Sequence, residues 1–197
     1  MSPGSSRAPS HAGELVGRKP DPERRAELLQ DVVAYLLDKG IHQTSLRPLA
    51  NELGTSTYTF VYHFGSKEEL VTQALDKVAE RAADVLTGFG ADGTVDAFVH
   101  DWWDWNVDDD KLRTARVITD ARSLVRVQPE LFQPFVERTR HDFVTALGDR
   151  LGSEGGNAVD ACMMVAALTG TLAELIGAED ADRGAATVER LLAAVAA

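Results

Sequence analysis

Residues 45–70 read SLRPLANELGTSTYTFVYHFGSKEEL, and this stretch decides the fold of the N-terminal part of the chain. Apolar residues recur at helical spacing on both sides of Gly54, which is placed to end one helix and open a turn. The pattern predicts two short helices, over 45–53 and about 56–64, joined by a turn of two or three residues. Such a pair is the helix-turn-helix pattern, whose second helix can enter the major groove of DNA.

The predicted second helix, 56–64, carries hydroxyls, two tyrosines and a histidine but no carboxylate. Such groups bond base edges and phosphates alike, so this face favours contact with DNA. An uncharged packing face in an ordinary helical bundle is the alternative interpretation. Ser66 and Glu69 then form a capping-box pattern, which predicts a long helix from Ser66 to about Leu86.

Helical periodicity continues through most of the chain, and no segment shows the alternation typical of a strand. Asp21-Pro22 opens a first helix that ends at Gly40. Further helices are predicted at about 94–106, 109–126, 130–151, 156–176 and 181–196. The sequence therefore predicts an all-α fold of about nine helices: an N-terminal three-helix helix-turn-helix domain and a C-terminal helical domain for ligand binding and dimerisation.

Four segments divide the chain. Residues 1–20 are rich in Ser, Gly, Pro and Ala and are expected to form a disordered arm, whose Arg7, Arg18 and Lys19 could also touch DNA. Residues 21–65 are expected to bind DNA. Residues 66–197 are expected to bind an effector and to dimerise, with 66–87 as the connecting helix.

The net charge of -11 is unusual for a protein that binds nucleic acid. Residues 1–87 hold ten Lys and Arg against twelve Asp and Glu, whereas residues 88–197 hold ten against nineteen. Most of the acidity therefore lies outside the predicted DNA-binding end. That end is still not basic overall, so binding must depend on where its few cations point.

Residues 24–75 resemble the TetR family of one-component bacterial regulators. The resemblance lies in an ordered set of motifs: Gly40 after the first helix, Thr44-Ser45 before Leu46-Arg47-Pro48-Leu49-Ala50, then Leu53-Gly54-Thr55-Ser56, then Tyr62-His63-Phe64, then Ser66-Lys67-Glu68-Glu69-Leu70. It implies a cytoplasmic DNA-binding regulator, usually a repressor, that binds a palindromic operator as a homodimer and is released by a small molecule.

The resemblance also implies which residues meet the DNA. Thr44 or Ser45 and Arg47 would contact the backbone, with Ser56 beside them at the start of the second helix. Base edges would be met by Thr55, Thr57, Tyr58 and Thr59, and phosphates by Tyr62, His63 and Lys67. The chain departs from the family at Tyr58, where a small residue is usual, and at Val61, where a tyrosine is usual. Val61 cannot donate to phosphate, and Tyr62 is a candidate substitute.

All three tryptophans lie in one predicted helix, within residues 95–105. Its apolar stripe consists of Val95, Phe98, Val99, Trp102 and either Trp105 or Asn106. Trp103 lies off this stripe and is a candidate for a pocket or an interface. Core packing is one explanation. The other is an apolar effector pocket, for which the candidates are Phe98, Trp102, Trp103, Trp105 and Met163, with His100, Arg122 and His141 as polar anchors.

The last two predicted helices have the composition of an interface. Small residues at Ala166, Ala167, Gly170 and Ala173 allow close helix contact, and Val188, Leu191, Leu192 and Val195 follow in the final helix. Pairing across a two-fold axis would give a four-helix bundle. A helix buried inside one subunit is the alternative.

Two other classes of protein were weighed against a regulator. A helical enzyme would need a catalytic or metal-ligand spacing, and the acids at Asp101, Asp104 and Asp108–Asp110 are not accompanied by one. A helical interaction module would carry a degenerate helix-turn-helix. We predict no catalytic residue, metal or cofactor. The lone Cys162 fits a core thiol, and no run of about eighteen apolar residues predicts a membrane span.

Overall fold

The computed structural model describes residues 21–43 and 45–195. Nine α-helices and one 3-10 turn, and no strand, occur within these ranges, so the all-α prediction is confirmed. The helices are α1 (Pro22–Lys39), α2 (Leu46–Glu52), α3 (Thr57–Phe64), α4 (Lys67–Gly88), α5 (Val95–Val107), α6 (Asp109–Leu124), α7 (Pro129–Ser153), α8 (Ala158–Ala178) and α9 (Ala181–Val195), with the 3-10 turn at Ile41–Gln43. The arm predicted over residues 1–20 lies outside the described residues.

Local caps set the ends of the helices around the turn. Ser56 precedes α3 and its hydroxyl accepts a hydrogen bond from the Thr59 N–H at 3.1 Å. Ser66 precedes α4 and accepts from the Glu69 N–H at 3.0 Å, as the capping-box pattern predicts. Gly54 has φ 59°, a left-handed conformation that costs glycine little, and this lets the chain turn between α2 and α3.

Two hydrophobic clusters run end to end through the molecule. The first joins α1, α2, α3 and the first half of α4 to parts of α6 and α7, through residues such as Val117, Ala121 and Phe135. The second joins the end of α4 to α5, α8 and α9 and to other parts of α6 and α7. Because α4, α6 and α7 contribute to both clusters, the helix-turn-helix end is packed directly on the C-terminal helices.

Trp103 is buried rather than placed in a pocket or at an interface. Its side chain is 5% exposed and lies against α9 at Gly184, where an added Cβ would come within 2.3 Å of the ring. The stripe of α5 is completed by Asn106, which is 3% exposed, while Trp105 is half-buried. The sequence pattern of α5 alone did not show that α9 would cover its second face.

Replacing Gly184 by alanine should lower the stability of the fold. The new methyl must displace the Trp103 ring, and overpacking of this kind costs about 1–3 kcal/mol, against about 1 kcal/mol gained from helix propensity. Gly152→Ala is the matched control, because nothing lies within 4 Å of an added Cβ there. Thermal unfolding should show a lower Tm for Gly184→Ala and an unchanged or higher Tm for Gly152→Ala. Equal shifts in the two variants would contradict the packing argument.

The two last helices differ in how their predicted interface residues are placed. Val188 and Leu192 of α9 are 2% and 9% exposed and belong to the subunit's own core, so their prediction as interface residues is wrong. The predicted small residues of α8 are exposed, and they belong to an outward stripe of Val159, Met163, Ala166, Gly170, Ala173 and Gly177. By length and composition alone, α8 is also long and apolar enough to cross a membrane.

Candidate nucleic-acid interface and internal cavity

Helix α3 packs one face inward and presents the other to solvent. Phe60 and Phe64 are 1% and 4% exposed and anchor the helix in the first hydrophobic cluster. Thr57 is exposed on the opposite face, and Tyr58 and Tyr62 are 73% and 39% exposed. Two large aromatic side chains are therefore held on the surface of a helix whose position the core fixes.

The two tyrosines are arranged as a stack. Their ring centroids are 6.2 Å apart with an angle of 22° between the planes, and Tyr62 also meets the edge of His63 at 5.1 Å. Stacking restricts the rotamers of Tyr58 before any ligand arrives. Less conformational entropy is then lost when its hydroxyl contacts a base edge or the backbone.

The remaining candidates lie around α3 in three settings. Ser45 and Arg47 are exposed at the start of α2, and Ser56 is exposed at the cap of α3. Thr55, Thr59, His63 and Lys67 are half-buried. Thr59 Oγ1 lies 2.9 Å from Ser56 Oγ, so both hydroxyls are part of the helix cap. Thr44 lies outside the described residues.

His63 presents one ring nitrogen inward. Nδ1 is buried and has no hydrogen-bond partner among the described residues. The main-chain carbonyl of His63 accepts a hydrogen bond from Arg25 Nε at 3.0 Å. If His63 meets a phosphate, the contacting atom must therefore be Nε2.

Arg25 is a residue of this site that the sequence did not reveal. From α1 it donates to the His63 carbonyl and to the side-chain oxygen of Gln73 in α4, and its guanidinium lies 5.0 Å from the centroid of the Phe64 ring. A cation at the carbonyl end of α3 also interacts favourably with the helix dipole. Arg25 therefore fixes the end of α3 against α1 and α4. Helical periodicity gave no signal for this, because the three contacts come from distant segments.

The cations near α3 divide into paired and free ones. Arg24 pairs with Glu27 at 3.0 Å, and Lys77 pairs with Glu80 at 2.6 Å. Arg47 and Lys67 form no salt bridge within residues 21–43 and 45–195. These two free cations lie in the helices before and after α3, so few charges there are available to phosphates.

An internal cavity of about 70 Å³ lies between α4, α5, α6, α7 and α8. Of the eight candidate ligand residues, it brings together Trp102, Trp105 and Arg122. Phe98 lies behind the cavity wall, packed on Phe89 and Phe143. The other lining residues that the sequence analysis missed include Phe89, Asn106, Thr119, Thr139, Phe143 and Thr169. Asn106 gave a usable signal, since it is a polar residue within the apolar stripe of α5.

Four of the ligand candidates lie elsewhere. Trp103 packs on α9, as described above, and His141 is exposed on α7. Met163 is 66% exposed on the outer face of α8. His100 lies between α5 and α9, where Nε2 is 2.8 Å from Glu189 Oε1 and Nδ1 is 3.3 Å from Asp96 Oδ2.

The His100 contacts should make stability weakly dependent on pH. The hydrogen bond to Glu189, with support from Asp96, raises the pKa of the imidazole above its ordinary 6.5. The stabilisation is therefore fully present below pH 6.5 and is lost as the pH rises through the raised pKa. Such an exposed pair contributes less than about 1 kcal/mol, or about 2–4 °C in Tm. Glu189→Gln should lower Tm at pH 5.5 and leave it unchanged at pH 9, whereas Asp104→Asn should show no such pattern. A Tm difference independent of pH would contradict the assignment.

No group of three or more His, Cys, Asp or Glu side chains within the described ranges is arranged to hold a metal ion. Asp108 caps α6, since its carboxylate accepts from the N–H groups of Asp110 and Lys111 at 3.2 and 3.3 Å. The acidic run at 108–110 therefore has a structural role. Cys162 is a half-buried free thiol.

Several solved structures share this fold. The chain superimposes with a TM-score of 0.72 on a transcriptional regulator from Rhodococcus sp. Rha1, at 18% identity over 87% of this chain and 95% of that one. The multidrug binding protein EbrR complexed with proflavin gives 0.69 at 19% identity, over 86% and 98% of the two chains. A TetR transcriptional regulator from Legionella pneumophila gives 0.65 at 16% identity, over 87% and 96%. These likenesses establish the shared fold. No curated protein sequence matches the chain.

A family model matches the helix-turn-helix itself. Residues 33–74 match the family model described as bacterial regulatory proteins, tetR family. The matched segment spans the second half of α1 through the first part of α4, which includes the exposed face of α3 and both free cations. In this segment the chain is therefore similar to bacterial regulatory proteins of the tetR family.

Proposed function

We propose that the protein is a homodimeric repressor that binds a palindromic operator and is released from it by a small molecule. The observation that carries the proposal is the outer face of α3: a stacked tyrosine pair, exposed hydroxyls and the unpaired cations Arg47 and Lys67, all within the family's DNA-binding segment. In this proposal residues 21–65 read DNA and residues 66–197 dimerise and hold the effector. The protein acts in the cytoplasm.

Each group of candidate residues contacts a different part of the DNA. Thr57 and Tyr58, both exposed near the N-terminus of α3, meet base edges, with Thr55 and Thr59 beside them. Arg47, Tyr62 and Lys67 contact phosphates, together with His63 through Nε2. Ser45 and Ser56 bind backbone through the starts of their helices.

The outer stripe of α8 supports dimerisation. Its residues are small or apolar, and they are exposed. An 18-residue window of α8 has a mean hydropathy of 1.6, but only 33% of that window is buried. An exposed apolar surface of this length is typical of an interface. In the proposed dimer two copies of α8 and α9 pack across a two-fold axis, and a palindromic operator requires its two α3 helices to lie about 34 Å apart, one turn of DNA.

Two helices connect the cavity to the DNA-binding end. Helix α4 begins beside α3 with Lys67 and ends at the cavity with Leu86. Helix α6 lines the cavity with Ala115 and Thr119, while Val117 and Ala121 pack in the first hydrophobic cluster. An occupant that widens the cavity displaces both helices and changes the separation of the two α3 helices. It can do so only by binding one separation better than the other. The EbrR structure in complex with proflavin supports a small-molecule site in this fold.

Operator binding by purified protein across a salt series tests the proposal. Selection from a random DNA library should yield a palindrome that the protein footprints. The affinity should fall with salt, with a slope of log K against log[salt] of about 0.9 per phosphate contacted. Few free cations predict a shallow slope for a dimer. No selected site, or binding without salt dependence, would refute the proposal.

A further inference from the structure

The internal cavity has aromatic walls. Phe89, Trp102, Trp105 and Phe143 line it, and the rings of Trp102 and Phe143 are stacked with centroids 5.2 Å apart. A water molecule needs roughly 10–15 Å³ of such space, so a cavity of about 70 Å³ has room for about five waters or a small organic molecule. Flat aromatic walls favour a ring as the occupant.

One wall carries a charge without a counter-ion. Arg122 reaches the cavity from α6, and it forms no salt bridge with any residue of 21–43 or 45–195. Burial lowers the pKa of its guanidinium, and the charge of Arg140 lowers it further. The guanidinium nevertheless stays protonated. A partly buried cation whose charged neighbour is another cation is stabilised by an anion.

Most other polar groups of the cavity are already bonded to the protein. The hydroxyls of Thr139 and Thr169 donate to carbonyls of their own helices at 3.0 and 2.7 Å. The Asn106 side-chain nitrogen donates to the Trp102 carbonyl at 2.7 Å. The hydroxyl of Thr119 forms no hydrogen bond within the described ranges and lies one turn before Arg122 on the same wall. Among the described residues, the one charged donor that lines the cavity, Arg122, and the Thr119 hydroxyl therefore lie together on α6.

We propose that the effector is a small aromatic carboxylic acid. Its ring lies between the aromatic walls, and its carboxylate pairs with Arg122, with Thr119 as a second donor. A guanidinium fits a carboxylate through two parallel hydrogen bonds, and charge-assisted bonds of this kind are the strong ones. The inference rests on the proposed function of the cavity as the effector site.

Matched pairs of probes test the charge requirement on the full-length protein. Benzoate is compared with benzamide, and 1-naphthoate with 1-naphthamide, because each pair has nearly the same shape and differs in charge. Binding is followed at pH 7 by quenching of the fluorescence of Trp102 and Trp105, which line the cavity, and by the shift in Tm. In the wild type the acids should bind at least tenfold tighter than the amides.

Arg122→Gln should bring each acid to within about twofold of its amide and leave amide binding unchanged. Arg122→Lys keeps the charge and should retain part of the preference. Arg116→Gln, at an exposed position of α6 that does not line the cavity, should retain all of it. If neither Arg122 variant folds, the acid–amide comparison in the wild type decides alone.

Different results would contradict this inference and the proposed function on which it rests. Equal binding of acids and amides by the wild type, or an acid preference that survives in Arg122→Gln, overturns the inference and leaves the cavity as an effector site. A protein that footprints its operator but binds none of the four probes also overturns the inference alone. A protein that selects no operator overturns the proposed function instead.

Discussion

Replacing Gly170 by arginine is expected to convert the proposed dimer into a monomer and to lower operator affinity by more than 100-fold. Gly170 lies in the middle of the outer stripe of α8, and nothing lies within 4 Å of an added Cβ in the subunit itself. The arginine is therefore accommodated in an isolated subunit but places a charge and a long side chain where two helices must approach closely. A monomer contacts only one half-site of the operator. It therefore loses the roughly 10²–10⁴-fold gain in affinity that a second, linked contact provides.

Sedimentation measures the first effect, and titration of operator DNA measures the second. Thr145→Arg adds the same side chain at an exposed position of α7 outside the stripe, and should remain a dimer with wild-type affinity. The Tm of both variants, measured at low concentration, shows whether each subunit remains folded. A Gly170→Arg protein that is still a dimer, or a wild type that is a monomer when bound to its operator, would exclude this interface.

Replacing both Thr57 and Tyr58 by alanine is expected to abolish sequence-specific binding. Each good contact to a base edge contributes about 1–3 kcal/mol, so the double change should weaken operator binding at least 100-fold. Both side chains are exposed and outside the hydrophobic clusters, so Tm should change little. Affinity for unrelated DNA should persist, because it depends on the phosphate contacts.

Two further variants show whether the loss of affinity comes from contacts to base edges. Val61→Ala changes an exposed residue of the same helix that cannot donate to DNA, and it should alter affinity less than threefold. Arg47→Ala should weaken binding to operator and unrelated DNA alike and should reduce the salt slope by about one per site lost. If the Thr57 and Tyr58 double variant kept its preference for the operator, α3 would not be the reading helix.

The helix-turn-helix could be predicted from the sequence because its signals are local. Ser56, Gly54 and Ser66 act on backbone groups within a few residues, through capping hydrogen bonds and a left-handed turn. The observed boundaries of α2 and α3 agree with the predicted ones to within one residue. The exposure of Tyr58 and Tyr62 also agrees with the outer face predicted for α3.

The errors arose where a helix has two buried faces. The pattern of α5 made Trp103 a pocket candidate, but α9 covers that face at Gly184. In α9 the residues Val188 and Leu192 formed an apolar stripe that could serve a partner or the subunit's own core, and the structure shows the second. Periodicity shows that a face is buried but not which element buries it.

The sequence by itself determined the all-α fold and the position of the helix-turn-helix, because capping hydrogen bonds and periodicity depend on residues that are close together in the chain. Tertiary structure alone decided that Arg25 fixes the end of α3, that α6 contributes to both hydrophobic clusters, and that Arg122 has no counter-ion within residues 21–43 and 45–195. These features depend on which distant helices pack together, and packing energies are summed over contacts between side chains far apart in the chain.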